Sequence, residues 1–274
     1  MIKEFINYLQ NLKGYSENTA KGYEKDLKRF VHWMRSSSTS ARWSTITRDD
    51  IDNYISQQAA QGLKPATTNR RLAAISGLYD YMKRQGYEVE NPCKYESRRK
   101  IGKNIPNTIN EEELAAAYNA ATGVTKTMIG LLATTGIRIQ ELLDLTWEDI
   151  NFQDGSLKIS GKGSKQRIVY TTTGTLADLA NVKANCSPTG RMFWFDQRTA
   201  RYMIYQALRG HCNARQLSPH AIRHTTATHL AKEGVNCTTI SAILGHEHLE
   251  TTQKYINMAQ AASSQACQIY SLIN

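Results

Sequence analysis

The sequence lacks a long uninterrupted apolar run. No stretch approaches the roughly 20 apolar residues that a helix needs to span a bilayer. Near the start of the chain, Glu4, Asn7 and Gln10 interrupt the apolar positions, so this segment has no continuous apolar core of the kind found in secretory signals. We therefore expect a soluble, cytoplasmic protein rather than a membrane or secreted one.

Closely spaced cysteine pairs are also missing. The cysteines are odd in number, widely separated and never arranged as CxxC. This distribution argues against both a disulfide framework and a thiolate zinc site. We expect buried, reduced thiols at all five positions: Cys93, Cys186, Cys212, Cys237 and Cys267.

Acidic residues are too few to balance the basic ones, which gives a formal net charge of +10. Residues 1–105 hold 19 Lys and Arg against 11 Asp and Glu, whereas residues 106–274 hold 15 against 13. A basic front part suits a polyanionic partner. An anionic membrane surface, or a basic surface with no partner, would also fit the charge. We predict that the front part holds a phosphate backbone and that the rest acts more locally.

Length and pattern predict two domains joined by a basic linker. Residues 1–92 are predicted to form a helical domain, with helix starts at Ser16, at Thr47 and at Pro65. Residues 93–107 have no clear period and are predicted to be the linker, and residues 108–274 the second domain. The linker contains the predicted DNA-contacting cations Arg98, Arg99 and Lys100.

The helix predicted to begin at Pro65 crowds polar and basic side chains into its opening turns. Cations at a helix start oppose the macrodipole, and this cost is more easily understood if the turn faces phosphates. A solvated helix start explains the pattern equally well. The predicted DNA contacts are Lys64, Thr67, Asn69, Arg70 and Arg71, and the predicted inward stripe is Leu72, Ile75, Leu78, Tyr79 and Met82.

The second domain is predicted to be mainly α-helical with a small antiparallel sheet. A helix capped by Asn110 is followed by an apolar helix ending at Gly136, and then by a helix with Arg138 and Glu141 on one face. The stretches WEDINFQDGSLKIS and KQRIVYTT are predicted strands, with Lys162 at the tip between them.

Further helices follow, and one of them carries charged residues at its positive end. Ser218 and Pro219 are predicted to begin this helix, which places His220 in its first turn and Arg223 one turn later on the same face. The spacing of His220 and His224 resembles a zinc site, but no HExxH acid follows and Arg223 would repel a cation. We therefore predict no metal and no other cofactor. Arginines, histidines, a lysine and a tyrosine suit phosphoryl transfer instead.

Four ordered motifs between residues 134 and 256 make this chemistry specific. They are TTGIRIQELLDLTWEDI, SGKGSKQRIVY, SPHAIRHTTATHLAKEG and ILGHEHLETTQKYI. Together they resemble the tyrosine recombinase (phage integrase) family, and the first 92 residues resemble the SAM-like core-binding domain of its compact, Xer-like members. Ile137 and Ile222 stand where leucine is common in the family, and neither position carries chemistry. The resemblance implies a helical core-binding domain followed by an α+β catalytic domain.

The resemblance also implies roles for single residues. Arg138 and Arg223 would clamp the scissile phosphate, since guanidinium groups stay charged and bind two oxygens. Lys162 would donate a proton to the leaving 5′ oxygen. Glu141 would orient the clamp, although a surface role for it is nearly as plausible from the sequence.

The remaining implied roles concern the nucleophile. Tyr255 would attack phosphorus and form a 3′-phosphotyrosine without metal or ATP, while His220 and His246 would bind the phosphate and handle the tyrosine proton. The implied partner is double-stranded DNA with an inverted-repeat core site, on which a tetramer forms through the C-terminal tail. Packing of this tail within its own chain is the alternative. A second recombinase or an accessory protein is left open.

Two other functions compete with site-specific recombination. A type IB topoisomerase-like enzyme would nick and reseal one duplex by the same chemistry. A catalytically silent DNA-binding regulator would keep the fold without the reaction, and the complete set of six residues argues against it. Integration, excision, inversion and dimer resolution are all compatible with the sequence.

Overall fold

The computed structural model is mostly helical and contains a small antiparallel sheet, which confirms the predicted fold class. Two compact units are present, residues 1–103 and residues 104–274. None of the described helices has the length and hydropathy needed to cross a membrane. The structure describes residues 1–37, 42–94, 106–161, 165–185, 190–246 and 249–257.

In its described residues, 1–37 and 42–94, unit 1 (residues 1–103) has four helices and one short 3-10 turn at Trp43–Thr45. The predicted helix starts are observed: the Ser16 hydroxyl accepts from the Thr19 amide, and Thr47 forms a capping box with Asp50. Pro65 occupies the first turn of the last helix. The helices are α1 (Ile2–Asn11), α2 (Glu17–Ser37), α3 (Arg48–Ala60) and α4 (Pro65–Arg84).

The core of unit 1 lies where α1, α2 and α3 pack around the apolar face of α4. The most deeply buried side chains include Phe5, Leu27, Phe30 and Ile51, and all belong to one continuous cluster. Burial of the inward stripe predicted for α4 is confirmed at all five positions. This packing of a helix on its apolar stripe fixes which face of α4 is left to solvent.

Unit 2, residues 104–274, contains the remaining helices and the sheet. Asn110 and Ser218 cap their helices through side-chain oxygens as predicted. Gly136 and Gly245 end two helices in the left-handed conformation. The elements are α5 (Glu111–Ala120), α6 (Gly123–Thr135), α7 (Ile139–Asp144), β1 (Ser156–Ser160), β2 (Gln166–Tyr170), α8 (Thr173–Ala184), α9 (Gln197–Arg209), α10 (Pro219–Lys232), α11 (Cys237–Leu244) and α12 (residues 250–257).

The sheet is the predicted antiparallel hairpin, but its first strand is shorter than expected. Ser156 pairs with Tyr170, and Ser160 pairs with Gln166. The prediction of a strand through WEDINF was wrong, because Trp147–Asp149 forms a 3-10 turn. There the Asp149 carboxylate accepts from both the amide and the hydroxyl of Thr146 and closes the turn.

The core of unit 2 centres on α6, where Met128, Ile129, Leu131 and Leu132 are fully buried. A separate, smaller cluster joins α10, α11 and α12 through Ala227, Ile240, Leu244 and Tyr255. Tyr255 is therefore held by apolar packing with α10 and α11.

The cysteines follow the prediction only in part. Cys93 and Cys212 are buried, as expected. The prediction of burial was wrong for Cys237, which is partly exposed in the first turn of α11. Cys186 and Cys267 lie outside the described residues.

Candidate active site

Two arginines far apart in sequence meet at the loop that follows α11. Arg138 immediately precedes α7, and its Nη2 donates to the Gly245 carbonyl over 2.7 Å. Arg223 lies on α10, and its Nη2 donates to the Leu244 carbonyl, also over 2.7 Å. Because Leu244 and Gly245 are adjacent, the two guanidinium groups are anchored side by side.

Arg223 keeps its charge although it is almost fully buried, with 2% of its surface exposed. Burial, followed by repulsion from Arg138, lowers its pKa to about 10, so it remains a cation at neutral pH. Its second described hydrogen bond runs from Nη1 to the Gly136 carbonyl. Both bonds go to neutral carbonyls, which leaves the positive charge available to an anion.

Glu141 is a buried anchor for the first arginine. Its carboxylate accepts from the Arg138 side chain and backbone amide, each over 2.8 Å. It also accepts two bonds from Arg167 on β2. Burial acts to raise the Glu141 pKa, but hydrogen bonds from Arg167 and Arg138 outweigh it and lower the pKa. Glu141 is therefore not the surface residue that the sequence left as an alternative, since only 7% of it is exposed.

Arg167 was not singled out from the sequence. Its Nε donates to the Ile243 carbonyl, so it ties β2 to the end of α11 as well as to Glu141. The strand motif gives one sequence signal for this residue. Successive side chains of a strand point to opposite faces, so Arg167 is expected on the face of Val169 and opposite Ile168.

Tyr255 is buried, with 1% of its surface exposed. Its hydroxyl lies 2.5 Å from Nδ1 of His224, and its ring stacks with that of His246 at an interplanar angle of 17°. Burial raises the Tyr255 pKa to about 12, against the opposing effect of Arg223. The hydroxyl is therefore protonated in this arrangement.

The neighbouring histidines are held neutral. Burial, and then repulsion by Arg223, lowers the pKa of His246 to about 4, and its Nδ1 pairs with the Thr252 hydroxyl at 2.7 Å. Burial and nearby charges, first among them that of Arg223, also lower the pKa of His220. The His220 ring lies 4.2 Å from the His224 ring, centroid to centroid.

An open cleft of about 1000 Å³ lies beside Arg138, Glu141 and the loop that follows α11. Arg138, Lys165, Arg167 and His246 line it, together with the described ends of the β1–β2 hairpin. The predicted proton donor Lys162 lies outside the described residues. Within the described ranges, no three His, Cys, Asp or Glu side chains are grouped so as to hold a metal ion.

The predicted DNA contacts of unit 1 are only partly exposed. Lys64 and Arg70 are exposed, while Thr67 and Asn69 are half-buried. Arg71 is buried, and its Nη1 donates to Gln58 over 2.8 Å. Contact between Arg71 and DNA remains a prediction, and the burial of the side chain argues against it. Arg98, Arg99 and Lys100 lie outside the described residues.

A basic cleft on unit 1 was missed by sequence reasoning. It has a volume of about 960 Å³ and lies between α2 and the ends of α3 and α4. The signal was present, since four cations of α2 recur at helical spacing on one face. These residues are Lys21, Lys25, Lys28 and Arg29.

Comparison with known proteins agrees with this architecture. The model of the phage integrase family matches residues 107–262, and that of the phage integrase N-terminal SAM-like domain matches residues 2–86. The chain is 29% identical to the tyrosine recombinase XerD of Haemophilus influenzae over 286 aligned positions, covering 95% of this chain and 94% of that protein. It is also 29% identical to a tyrosine recombinase of Thermosipho africanus, covering 94% and 95%.

Solved structures share the fold at low sequence identity. A XerH site-specific recombinase bound to palindromic difH substrate superposes with a TM-score of 0.80, at 19% identity, over 99% of this chain and 85% of that one. A lambda integrase dimer bound to a COC′ core site gives a TM-score of 0.74 at 17% identity, over 93% of each chain. The chain belongs to the phage integrase family. Within it, the chain is a tyrosine recombinase of the Xer type, an enzyme that breaks and rejoins DNA.

Proposed function

We propose that this enzyme carries out site-specific recombination through a 3′-phosphotyrosine intermediate formed on Tyr255. The observation that carries the proposal is the convergence of Arg138 and Arg223 on adjacent carbonyls, beside the loop that presents His246. Two guanidinium groups held next to each other can bind the two nonbridging oxygens of one phosphodiester. Tyr255 packs against the same loop through the His246 ring.

In the proposed cleavage step, the phenolic oxygen of Tyr255 bonds to phosphorus and the bond from phosphorus to the 5′ oxygen breaks. The leaving oxygen takes a proton, for which Lys162 is the proposed donor on the basis of the family motif. The tyrosine proton passes to His220 or His246, whose rings are neutral without DNA and become better acceptors when the negative phosphate beside them raises their pKa. Attack by another 5′ hydroxyl on the phosphotyrosine reverses these steps and restores the phenol.

No ATP or metal enters this scheme. The phosphotyrosine preserves the phosphodiester bond energy, so rejoining needs no external energy source. Negative charge that develops on the phosphate is matched by Arg138 and Arg223, which supply the electrostatic stabilisation that metal ions provide in other phosphoryl-transfer enzymes.

We assign the two parts of the chain different tasks on DNA. Residues 1–92 would bind the duplex, with the basic cleft of α2 beside Arg70, and residues 93–107 would link this domain to the catalytic domain at 108–274. The proposed substrate is double-stranded DNA with an inverted-repeat core site. Assembly into a tetramer through the C-terminal tail, with or without a second recombinase or accessory protein, is part of the same proposal.

The test begins by identifying a substrate. Purified protein is incubated with fragmented genomic DNA of its host, and the DNA that stays attached after denaturation is sequenced. A nicked suicide duplex built on that sequence then traps the adduct. We expect wild type to form a covalent adduct with phosphotyrosine at residue 255, and Tyr255→Phe to form none.

The matched control is Tyr202→Phe, because Tyr202 is an exposed tyrosine on α9. This variant should form the adduct at the wild-type rate. Adduct formation by Tyr255→Phe would overturn the assignment of the nucleophile. A wild-type chain that forms no adduct would favour the catalytically silent regulator, and relaxation of a plasmid that lacks the trapped site would favour the topoisomerase-like enzyme.

A further inference from the structure

One residue in contact with Tyr255 has no assigned role in the proposed reaction. His224 follows Arg223 on α10 and is buried, with 9% of its surface exposed. Its Nδ1 lies within hydrogen-bonding distance of the Tyr255 hydroxyl. The ring is also fixed from the other side by edge-to-face contact with His220.

The direction of this hydrogen bond follows from the two groups. Burial raises the pKa of Tyr255 to about 12. Burial, and then the proximity of His220, lowers the pKa of His224 to about 3. The phenol therefore keeps its proton and donates it, while neutral imidazole accepts at Nδ1 and carries its own proton on Nε2. A proton acceptor with so low a pKa holds the phenol in its protonated form instead of ionising it.

We propose that His224 is a positioning residue that holds the hydroxyl of Tyr255 in the DNA-free chain and thereby limits delivery of the nucleophile. The inference rests on the proposed function, because it takes Tyr255 as the attacking group. In this arrangement the hydroxyl is buried and bonded to an uncharged nitrogen, so cleavage requires the bond to open. Loss of the acceptor frees the hydroxyl.

The surroundings of His224 support a neutral acceptor. Arg223 and His220 share α10 with it, Lys254 approaches from α12, and His246 approaches from the loop after α11. Each of these groups disfavours a positive charge on His224. Lys254 also lies over the Tyr255 ring, with Nζ 4.9 Å from the ring centroid. Burial, and then the proximity of these groups, thus keeps the acceptor uncharged over a wide range of pH.

The first experiment measures release of the hydroxyl without DNA. Tetranitromethane nitrates accessible tyrosines, and peptide mass spectrometry reports each site separately. We expect His224→Leu, which removes the acceptor but fills the space, to raise nitration of Tyr255 about tenfold, the factor that corresponds to one net hydrogen bond. His224→Asn places an oxygen acceptor near the position of Nδ1 and should stay near wild type. The exposed Tyr170 serves as the internal reference.

The second experiment measures cleavage of the nicked suicide duplex at saturating DNA. His224→Leu should raise the first-order rate of adduct formation, by up to about tenfold, without changing DNA affinity. His229→Leu is the matched control, because His229 lies on the same helix but is exposed and paired with Glu111. If the leucine variant does not fold, His224→Met fills the site with a flexible side chain that has no nitrogen acceptor.

Unchanged nitration of Tyr255 in the variants without an acceptor would overturn the inference. So would a slower cleavage rate in a folded variant, because it would assign His224 to catalysis or to structure. The nitration experiment does not depend on chemistry at DNA. If Tyr255→Phe still forms an adduct, the proposed function fails, while nitration still reports whether His224 holds the hydroxyl.

Discussion

The two units of the chain contain the same charge arrangement with opposite outcomes. In unit 2, Glu141 is buried between Arg138 and Arg167. In unit 1, Asp26 is buried between Arg70 and Arg71. Hydrogen bonds to Glu141 outweigh its burial and lower its pKa, whereas burial of Asp26 outweighs its arginines and raises its pKa.

Geometry explains the difference. Both oxygens of Glu141 accept hydrogen bonds from guanidinium groups. In unit 1, Nη1 of Arg70 lies 2.6 Å from Oδ2 of Asp26, but Oδ2 accepts no hydrogen bond of acceptable geometry. Nε of Arg71 also makes no hydrogen bond of acceptable geometry. A carboxylate whose oxygens all accept hydrogen bonds fixes its arginines in place, while the desolvation of Asp26 is only partly offset by the arginines near it. We conclude that Glu141 is built to position a functional arginine, whereas Asp26 leaves Arg70 free to exchange partners.

The largest difference that we expect between the two units is in how their folding stability changes at acidic pH. The pKa of His224 is about 3 in the folded chain, against a usual value of 6.5, so the unfolded chain binds more protons between these values. Unit 2 therefore loses stability as pH falls below about 6.5. Asp26 acts in the opposite sense: its raised pKa stabilises the folded chain at low pH, and this contribution is lost as pH rises through that pKa.

We expect wild type to lose up to about 3 kcal/mol more unfolding free energy than His224→Leu when pH falls from 7 to 4. Urea unfolding, followed through the indole NMR signal of Trp147 in the unit 2 core, measures the loss. His229→Leu should behave like wild type. Equal losses in wild type and His224→Leu would show that His224 is not held neutral by the fold.

The second prediction tests whether Glu141 positions its arginine for catalysis. Glu141→Gln removes the negative charge between the two guanidinium groups and replaces one accepting oxygen by an amide nitrogen that cannot accept. If that nitrogen takes the place of Oε2, the bonds from Arg167 Nη2 and from the Arg138 amide are lost, so Arg138 is held less firmly and α7 loses its capping box. We expect single-turnover cleavage of the suicide duplex to fall about 100-fold, the usual cost of one transition-state contact. Asp26→Asn, the equivalent change in unit 1, should alter this first-order rate by less than about threefold. Similar rates for the two variants would remove the distinction between the clusters.

Local signals in the sequence were sufficient for much of the fold. The caps at Thr47, Asn110 and Ser218 were predictable because a cap depends on residues within one turn. The same locality explains the error at Trp147–Asp149: apolar residues near a turn fit a strand or a 3-10 turn, and the Thr146–Asp149 hydrogen bonds decide between them. The family motifs, not periodicity, supplied the roles of the site residues.

The contacts missed from sequence are those between distant segments. His224 and Tyr255 are 31 positions apart, and no spacing rule predicts that their side chains meet. Arg71 was different, because it stands four residues before Ile75 at the spacing of the buried stripe. Its charge led us to expect exposure, but an arginine can be buried when acceptors such as Gln58 are available.

The third prediction compares two glycines with positive φ. Gly62 of unit 1 has φ of +75° and no heavy atom within 4 Å of the position that a Cβ would take, whereas a Cβ at Gly136 would lie 2.5 Å from Leu244 Cδ2. We expect Gly62→Ala to cost about 1 kcal/mol from the left-handed backbone alone, and Gly136→Ala to cost about 2 kcal/mol or more. Thermal unfolding measures both. Only Gly136→Ala should also slow cleavage, because the Gly136 carbonyl holds Arg223. Equal losses of stability in the two variants would argue against the close approach of Leu244 to Gly136.

The smallest effect is expected at Asp26 itself. In Asp26→Asn the buried charge disappears, Arg70 can turn to solvent because 45% of its side chain is already exposed, and Arg71 keeps its bond to Gln58. The change in unfolding free energy at pH 7 should therefore stay under about 1 kcal/mol. Because burial disfavours ionised Asp26, the unfolding free energy of the variant relative to that of wild type should be higher at pH 7 than at pH 4. Urea unfolding of unit 1, followed through the indole signal of Trp43, measures both values, and a loss of several kcal/mol at pH 7 would mean that Asp26 anchors its arginines as firmly as Glu141 does.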